Sequence, residues 1–144
     1  MTRLSLIAFA AAGLLFPAGA ALAQSAPGAS VSLTFDTGAA RGAVMVALYD
    51  SEAGYAGERP VGRQRLDVAA GQLTAVFGGL AAGDYAAKAF HDVNGDGEMN
   101  FNPFGIPTEP YAFSNNAVGH MGPASWERAR FAVSGPTAQT ISIR

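Results

Sequence analysis

The chain has 144 residues, no cysteine, and 11 acidic against 9 basic side chains, for a formal net charge of −2. The lack of cysteine excludes thiol catalysis, thiolate zinc sites, iron–sulfur clusters and disulfide staples. So slight and acidic a balance leaves no basic stripe for nucleic acid: Arg59, Arg63 and Arg65 are only a local cluster, and Arg63 and Arg65 fit the solvated face of a strand.

Residues 1–23 read as a signal peptide. Arg3 supplies a positive start, residues 4–16 are an apolar run, and Ala21-Leu22-Ala23 is the small-x-small pattern cut on export. The run is shorter than the roughly 20 apolar residues a membrane helix needs, so no span is expected after its removal. The absence of cysteine at the cut also argues against a lipid anchor. The expected location is periplasmic or secreted. The remaining 121 residues, 8 basic against 11 acidic, suit one domain with its own core.

Residues 24–29 look like a flexible lead-in, and from residue 30 the hydrophobic period is two. Val31, Leu33 and Phe35 alternate with Ser32, Thr34 and Asp36; Val44, Val46 and Leu48 alternate with Met45, Ala47 and Tyr49. Leu66 and Val68, then Leu73, Ala75 and Phe77, repeat the pattern, followed by residues 85–91, 129–133 and 140–143. Glycine and proline clusters separate most of these runs. The spacing predicts an all-β fold over residues 30–144, a single antiparallel β-sandwich of about seven strands. Residues 124–128 could form one helical turn, and no long amphipathic helix is expected. Leu80-Ala81-Ala82-Gly83-Asp84-Tyr85 is similar to a corner of immunoglobulin-like and transthyretin-like sandwiches, where the tyrosine ring buries and its hydroxyl meets a backbone group.

After the strand at residues 85–91 comes the richest stretch for chemistry. Asp92, Asn94, Asp96, Glu98, Asn100 and Glu109 crowd a loop punctuated by glycine and proline. Oxygen-bearing side chains at alternate positions before Gly97 suit Ca²⁺, which takes six to eight oxygen ligands. Compared with an EF-hand loop, Asp92, Asn94 and Asp96 stand at positions one, three and five. Glu98 offers its carbonyl at seven and Asn100 stands at nine, but the closing glutamate is replaced by Pro103. Glu109, returned by the turn at Gly105-Ile106-Pro107, is the candidate for the missing carboxylate. The plainer reading is that Asp, Asn and Gly here build turns and cap backbone groups.

His91 is expected as the last inward residue of its strand, after Tyr85, Ala87 and Ala89. His120 lies in a glycine-rich segment, and a zinc site from both histidines and a carboxylate lacks any recognised spacing. Phe101, Phe104, Tyr111, Phe113 and Trp126 either cover one end of the sandwich or form an exposed patch for a glycan or protein. Two functions stay open. One is a non-catalytic exported module with a Ca²⁺-binding loop and a partner surface. The other is a periplasmic hydrolase using His91, Asp92 and Glu109, with His120 or a metal assisting.

Several motifs together resemble a known family. They are Gly42-Ala43-Val44-Met45-Val46-Ala47-Leu48-Tyr49, Leu80-x-x-Gly83-x-Tyr85-Ala86, and His91-Asp92-x-Asn94-x-Asp96-Gly97. Further on stand Phe104-Gly105-Ile106-Pro107-Thr108-Glu109, Phe113-Ser114-Asn115-Asn116 and Gly122-Pro123-Ala124-Ser125. Residues 30–144 are thereby similar to a family of exported bacterial proteins catalogued as a domain of unknown function. The resemblance implies one β-sandwich related to transthyretin-like and immunoglobulin-like modules, and it supplies no catalytic residues.

Overall fold

The computed structural model describes residues 28–143. The expected signal peptide and residues 24–27 of the lead-in lie outside the described residues. Eight strands form two sheets. They are β1 (Ala29–Thr37), β2 (Ala43–Tyr49), β3 (Gly62–Asp67), β4 (Thr74–Leu80), β5 (Gly83–Asp92), β6 (Tyr111–Phe113), β7 (Phe131–Val133) and β8 (Pro136–Ile143). Two short helices, α1 (Glu52–Ala56) and α2 (Trp126–Ala129), and a 3₁₀ turn at Ser114–Asn116 complete the elements.

One sheet runs β4-β1-β8 and the other β3-β2-β5-β6, with β7 beside the start of β5. All pairings are antiparallel except β1 with β8, which run parallel from Ser30↔Pro136 to Thr37↔Ile143. The fold is the all-β sandwich expected from the period-two runs, with this one departure from a fully antiparallel arrangement. Among the described residues no helix is long and apolar enough to cross a membrane.

The alternation becomes the core. Val31, Leu33 and Phe35 of β1 and Ile141 and Ile143 of β8 face Val44, Val46 and Leu48 of β2 and Tyr85, Ala87 and Ala89 of β5. Each fully buried side chain of this size contributes roughly 1.5–3 kcal/mol against exposure. Tyr85 donates its hydroxyl to the Ala81 carbonyl at 2.9 Å, fastening the corner as expected. Arg63 and Arg65 are exposed on β3.

The outer face of β2 and β5 carries a second cluster. Tyr49, Ala86 and Phe113 are covered by Tyr55 of α1 and Ala129 and Trp126 of α2. Helix α1 starts because the Ser51 hydroxyl accepts the Gly54 N–H. Lys88 is the lone charge in the apolar run of residues 85–90. Its ammonium sits 4.2 Å from the Tyr55 ring centroid and 5.2 Å from that of Tyr49. It also donates to the Tyr55 carbonyl and pairs with the Glu58 carboxylate, which accepts the Tyr49 hydroxyl at 2.7 Å. Burial pulls the Glu58 carboxyl upward, but the bonds from Lys88 and Tyr49 outweigh it and hold the group below its usual range.

Burial, then the charge of Glu58, pushes Tyr55 up to about 12, and burial with the Glu58 bond pushes Tyr49 up further. The sign follows from linkage: unfolded tyrosines ionise near pH 10 while the folded ones keep their protons. This stability is complete below pH 10 and declines as pH rises toward 12. The urea midpoint should therefore fall over that interval, and less so in Tyr55→Phe. A wild-type midpoint constant through pH 12 would refute the coupling.

Candidate functional site

Loop 92–109 leaves the end of β5 and returns into β6. Its root is buried: Asp92 is 0% exposed, and Glu109 and His91 are buried beside it. Here the β1–β2 loop packs against the strand end. His91 Nε2 meets the Arg41 carbonyl at 2.6 Å, and Gly42, at φ +72°, lies so near that a Cβ would stand 2.1 Å from the Asp92 carbonyl oxygen. Glycine is required at that contact.

The candidate ligands divide into two groups. Asp92 and Glu109 turn inward and hold backbone. Asp92 accepts the N–H of Gly95 at 2.6 Å on one oxygen and that of Gly97 at 2.8 Å on the other. Glu109 accepts the N–H of Val93 at 3.0 Å and of Asn100 at 3.3 Å. Between them the two carboxylates pin four N–H groups across the loop, the turn-building role that Asp and Asn offered as the plainer expectation.

Asn94, Asp96 and Asn100 instead converge at the surface. The Asp96 Oδ2 accepts the amides of Asn94 and Asn100, each at 3.0 Å, and the Asn94 amide also donates to Asn100 Oδ1 at 2.8 Å. The Glu98 N–H donates to Asp96 at 2.9 Å. That backbone bond, then the Asn100 amide, holds the exposed Asp96 carboxyl below its usual range. The exposed Glu98 contributes only its backbone N–H to this cluster. Among the described residues no three Asp, Glu or His side chains gather as a ready metal cage.

A cavity of about 420 Å³ opens beside the cluster, lined by Arg41, Val93, Asn94, Asn100, Thr108 and Glu109. A second, of about 610 Å³, runs along β6 and is lined by Glu109, Tyr111, Phe113, Asn116, Val118 and Ser142 among others. Neither histidine lines either cavity: His91 is buried and His120 is exposed. The aromatics divide as well. Phe113 and Trp126 join the second cluster, whereas Phe101, Tyr111 and especially Phe104, 87% exposed, face solvent with Ile106, Val118 and Met121.

Sequence reasoning missed the role of Ser114, Asn115 and Asn116. Ser114 accepts the Ala87 N–H at 2.8 Å and donates to the Ala129 carbonyl at 2.6 Å. Asn115 donates to the carbonyls of Arg128 and Arg130, and Asn116 bridges the Thr140 carbonyl and the Ser142 N–H of β8. Both asparagines have positive φ, a conformation they tolerate better than most residues. A Ser-Asn-Asn run after a very short strand was the available signal.

No curated protein and no solved structure matches the chain. The family described as an uncharacterized protein conserved in bacteria (DUF2141) matches residues 36–142, a span that takes in β2 to β7, most of β8 and loop 92–109, and the chain belongs to that family.

Proposed function

We propose that the protein is an exported, non-catalytic recognition module whose loop 92–109 binds Ca²⁺ and holds an apolar surface ready for a protein or glycan partner. The observation that carries this reading is the meeting of Asn94, Asp96 and Asn100 heads within 3.0 Å of Asp96 Oδ2, at the rim of a cavity that Glu109 also lines. The amide nitrogens of Asn94 and Asn100 face the Asp96 carboxylate, and turning the two carboxamides over would set their oxygens beside it, giving hard oxygen donors of the kind calcium takes. The exposed Phe101, Phe104 and Ile106 lie in the same loop, so ordering it would fix their positions. A surface of clustered aromatic and aliphatic side chains marks an interaction site more often than an inert one. Arg41, lining the same cavity, opposes a cation there, and its removal should tighten binding.

The test is thermal melting with calcium against a chelator. A ligand bound only by the folded state at a hundredfold excess over its Kd adds about 2.7 kcal/mol, which raises the melting point by several degrees. Asp96→Ala should remove the rise and Arg41→Ala should enlarge it. A wild-type melting point indifferent to millimolar calcium defeats the calcium reading.

A further inference from the structure

The outer edge of β6 is unlike the neighbouring edge of β8. On β8, the Asn116 carboxamide donates to the Thr140 carbonyl at 3.1 Å and accepts the Ser142 N–H at 2.8 Å, taking the place of a neighbouring strand. Such capping is one way proteins close an exposed sheet edge. Strand β6 is the edge of its sheet, and among the described residues no strand pairs with its outer side.

Register shows which groups that edge offers. His91 N–H donates to the Pro110 carbonyl at 2.8 Å, so Pro110 stands opposite His91 as a hydrogen-bonded position, and Ala112 opposite Ala89 is the next. Tyr111 and Phe113, opposite Phe90 and Lys88, are the alternate positions, whose N–H and C=O groups point away from β5. Both residues line the second cavity. Two outward residues at a spacing of two match the repeat of an extended chain.

The exposed charges of the segment that leads into β6 are acidic. Between Lys88 and Arg128 the sequence has no lysine or arginine, and Asp96 and Glu98 are exposed there, whereas Asp92 is buried on backbone N–H groups and Glu127 is paired with Arg130. Glu109 lines the groove, and no lysine or arginine does. Arg128 reaches the segment through its bond to the Val118 carbonyl but does not line the groove.

We propose that the outer edge of β6 docks an extended, basic segment of a partner protein, which adds a strand to the five-stranded sheet. Backbone bonds to Tyr111 and Phe113 supply affinity. Apolar side chains rest against Tyr111 and Val118, and lysine or arginine side chains meet the acidic surround. This deepens the recognition reading and rests on it, but it does not require the cation.

The probe is a short peptide of alternating valine and lysine, with an alternating valine–glutamate counterpart, titrated into the full chain in calcium and in chelator. Tyr111→Pro removes only an N–H that points away from β5, so the ladder to β5 is kept, while Tyr111→Ala removes the ring and keeps the N–H. The lysine peptide should bind the wild type, and Tyr111→Pro should weaken it about tenfold beyond any effect of Tyr111→Ala. In the wild type, the peptide should slow hydrogen exchange at the Tyr111 and Phe113 amides and leave Ala112 unchanged, a readout that stands even if the proline variant unfolds. Failure of the lysine peptide to bind in either buffer overturns the proposal. Equal binding of the glutamate peptide, or exchange unchanged at both amides, overturns it too. A wild-type dimer that Tyr111→Pro dissolves overturns it in favour of self-pairing. Because the titration is also run in chelator, loss of the calcium effect alone leaves the edge proposal standing, and loss of peptide binding alone leaves the calcium reading standing.

Discussion

Ser114→Ala is expected to destabilise the protein by about 3 kcal/mol, a fall of roughly 10 °C in melting temperature for a domain of this size. The reason lies in the edge of β5. Strand β7 pairs with Gly83, Asp84 and Tyr85, and β6 pairs with Lys88, Ala89 and Phe90, which leaves a gap between them. The Ser114 hydroxyl fills that gap, accepting the Ala87 N–H and donating to the Ala129 carbonyl in the interior. Alanine supplies neither partner, and each buried backbone group left unpaired costs about 1–3 kcal/mol. The measurement is thermal or urea unfolding of the variant beside wild type. A shift of only a degree or two would mean that water or a rearranged strand repairs the gap. Asn115 holds the next turn of the same clasp through Arg128, Arg130 and Gln139, so Ser114→Ala and Asn115→Ala should couple in a double-mutant cycle rather than add.

The strands were legible where one face had to be apolar over several residues. Val31, Leu33 and Phe35, or Val44, Val46 and Leu48, announce period two and occupy the core. Strands β6 and β7 have three residues each, too few for a period to register. Helix α1, five residues long, hides its start in the ordinary-looking Asp50-Ser51 break. The parallel match of β1 with β8 joins the two ends of the domain, and nothing local in either strand encodes its direction. At the site, alternation of oxygen side chains showed which residues gather, but not which way each faces. Asp92 and Glu109 look inward because the glycine turns present N–H groups that need acceptors, a demand set by backbone conformation rather than residue type. Lys88 lies among aromatics and beside Glu58, thirty positions away, a pairing that only the assembled sheet and α1 create.

Asp92→Ala should cost about as much as the loss of Ser114, near 3 kcal/mol, because hydrogen bonds to a charged acceptor contribute about 1.5–3 kcal/mol each. Both oxygens are committed, to Gly95 and Gly97, at positions where φ is +81° and +83°. Those glycines carry no side chain that packs, so the carboxylate is what holds the two tight turns closed. Asp92→Asn should fall between wild type and alanine: its carbonyl oxygen keeps one bond, while its amide places a donor against a donor. The expected order of melting points in chelator is wild type, then asparagine, then alanine. This separates the turn from the cation. Asp96 is exposed and its bonds are local to the surface cluster, so Asp96→Ala should leave the chelator melting point nearly unchanged and remove only the calcium-dependent rise. Asp92→Ala lowers the melting point in both conditions, because the loop that would present Asn94, Asp96 and Asn100 to an ion depends on it. If Asp92→Ala melts with wild type in chelator, the two glycine turns are held by something other than that carboxylate, and the inward half of the site has been assigned the wrong role.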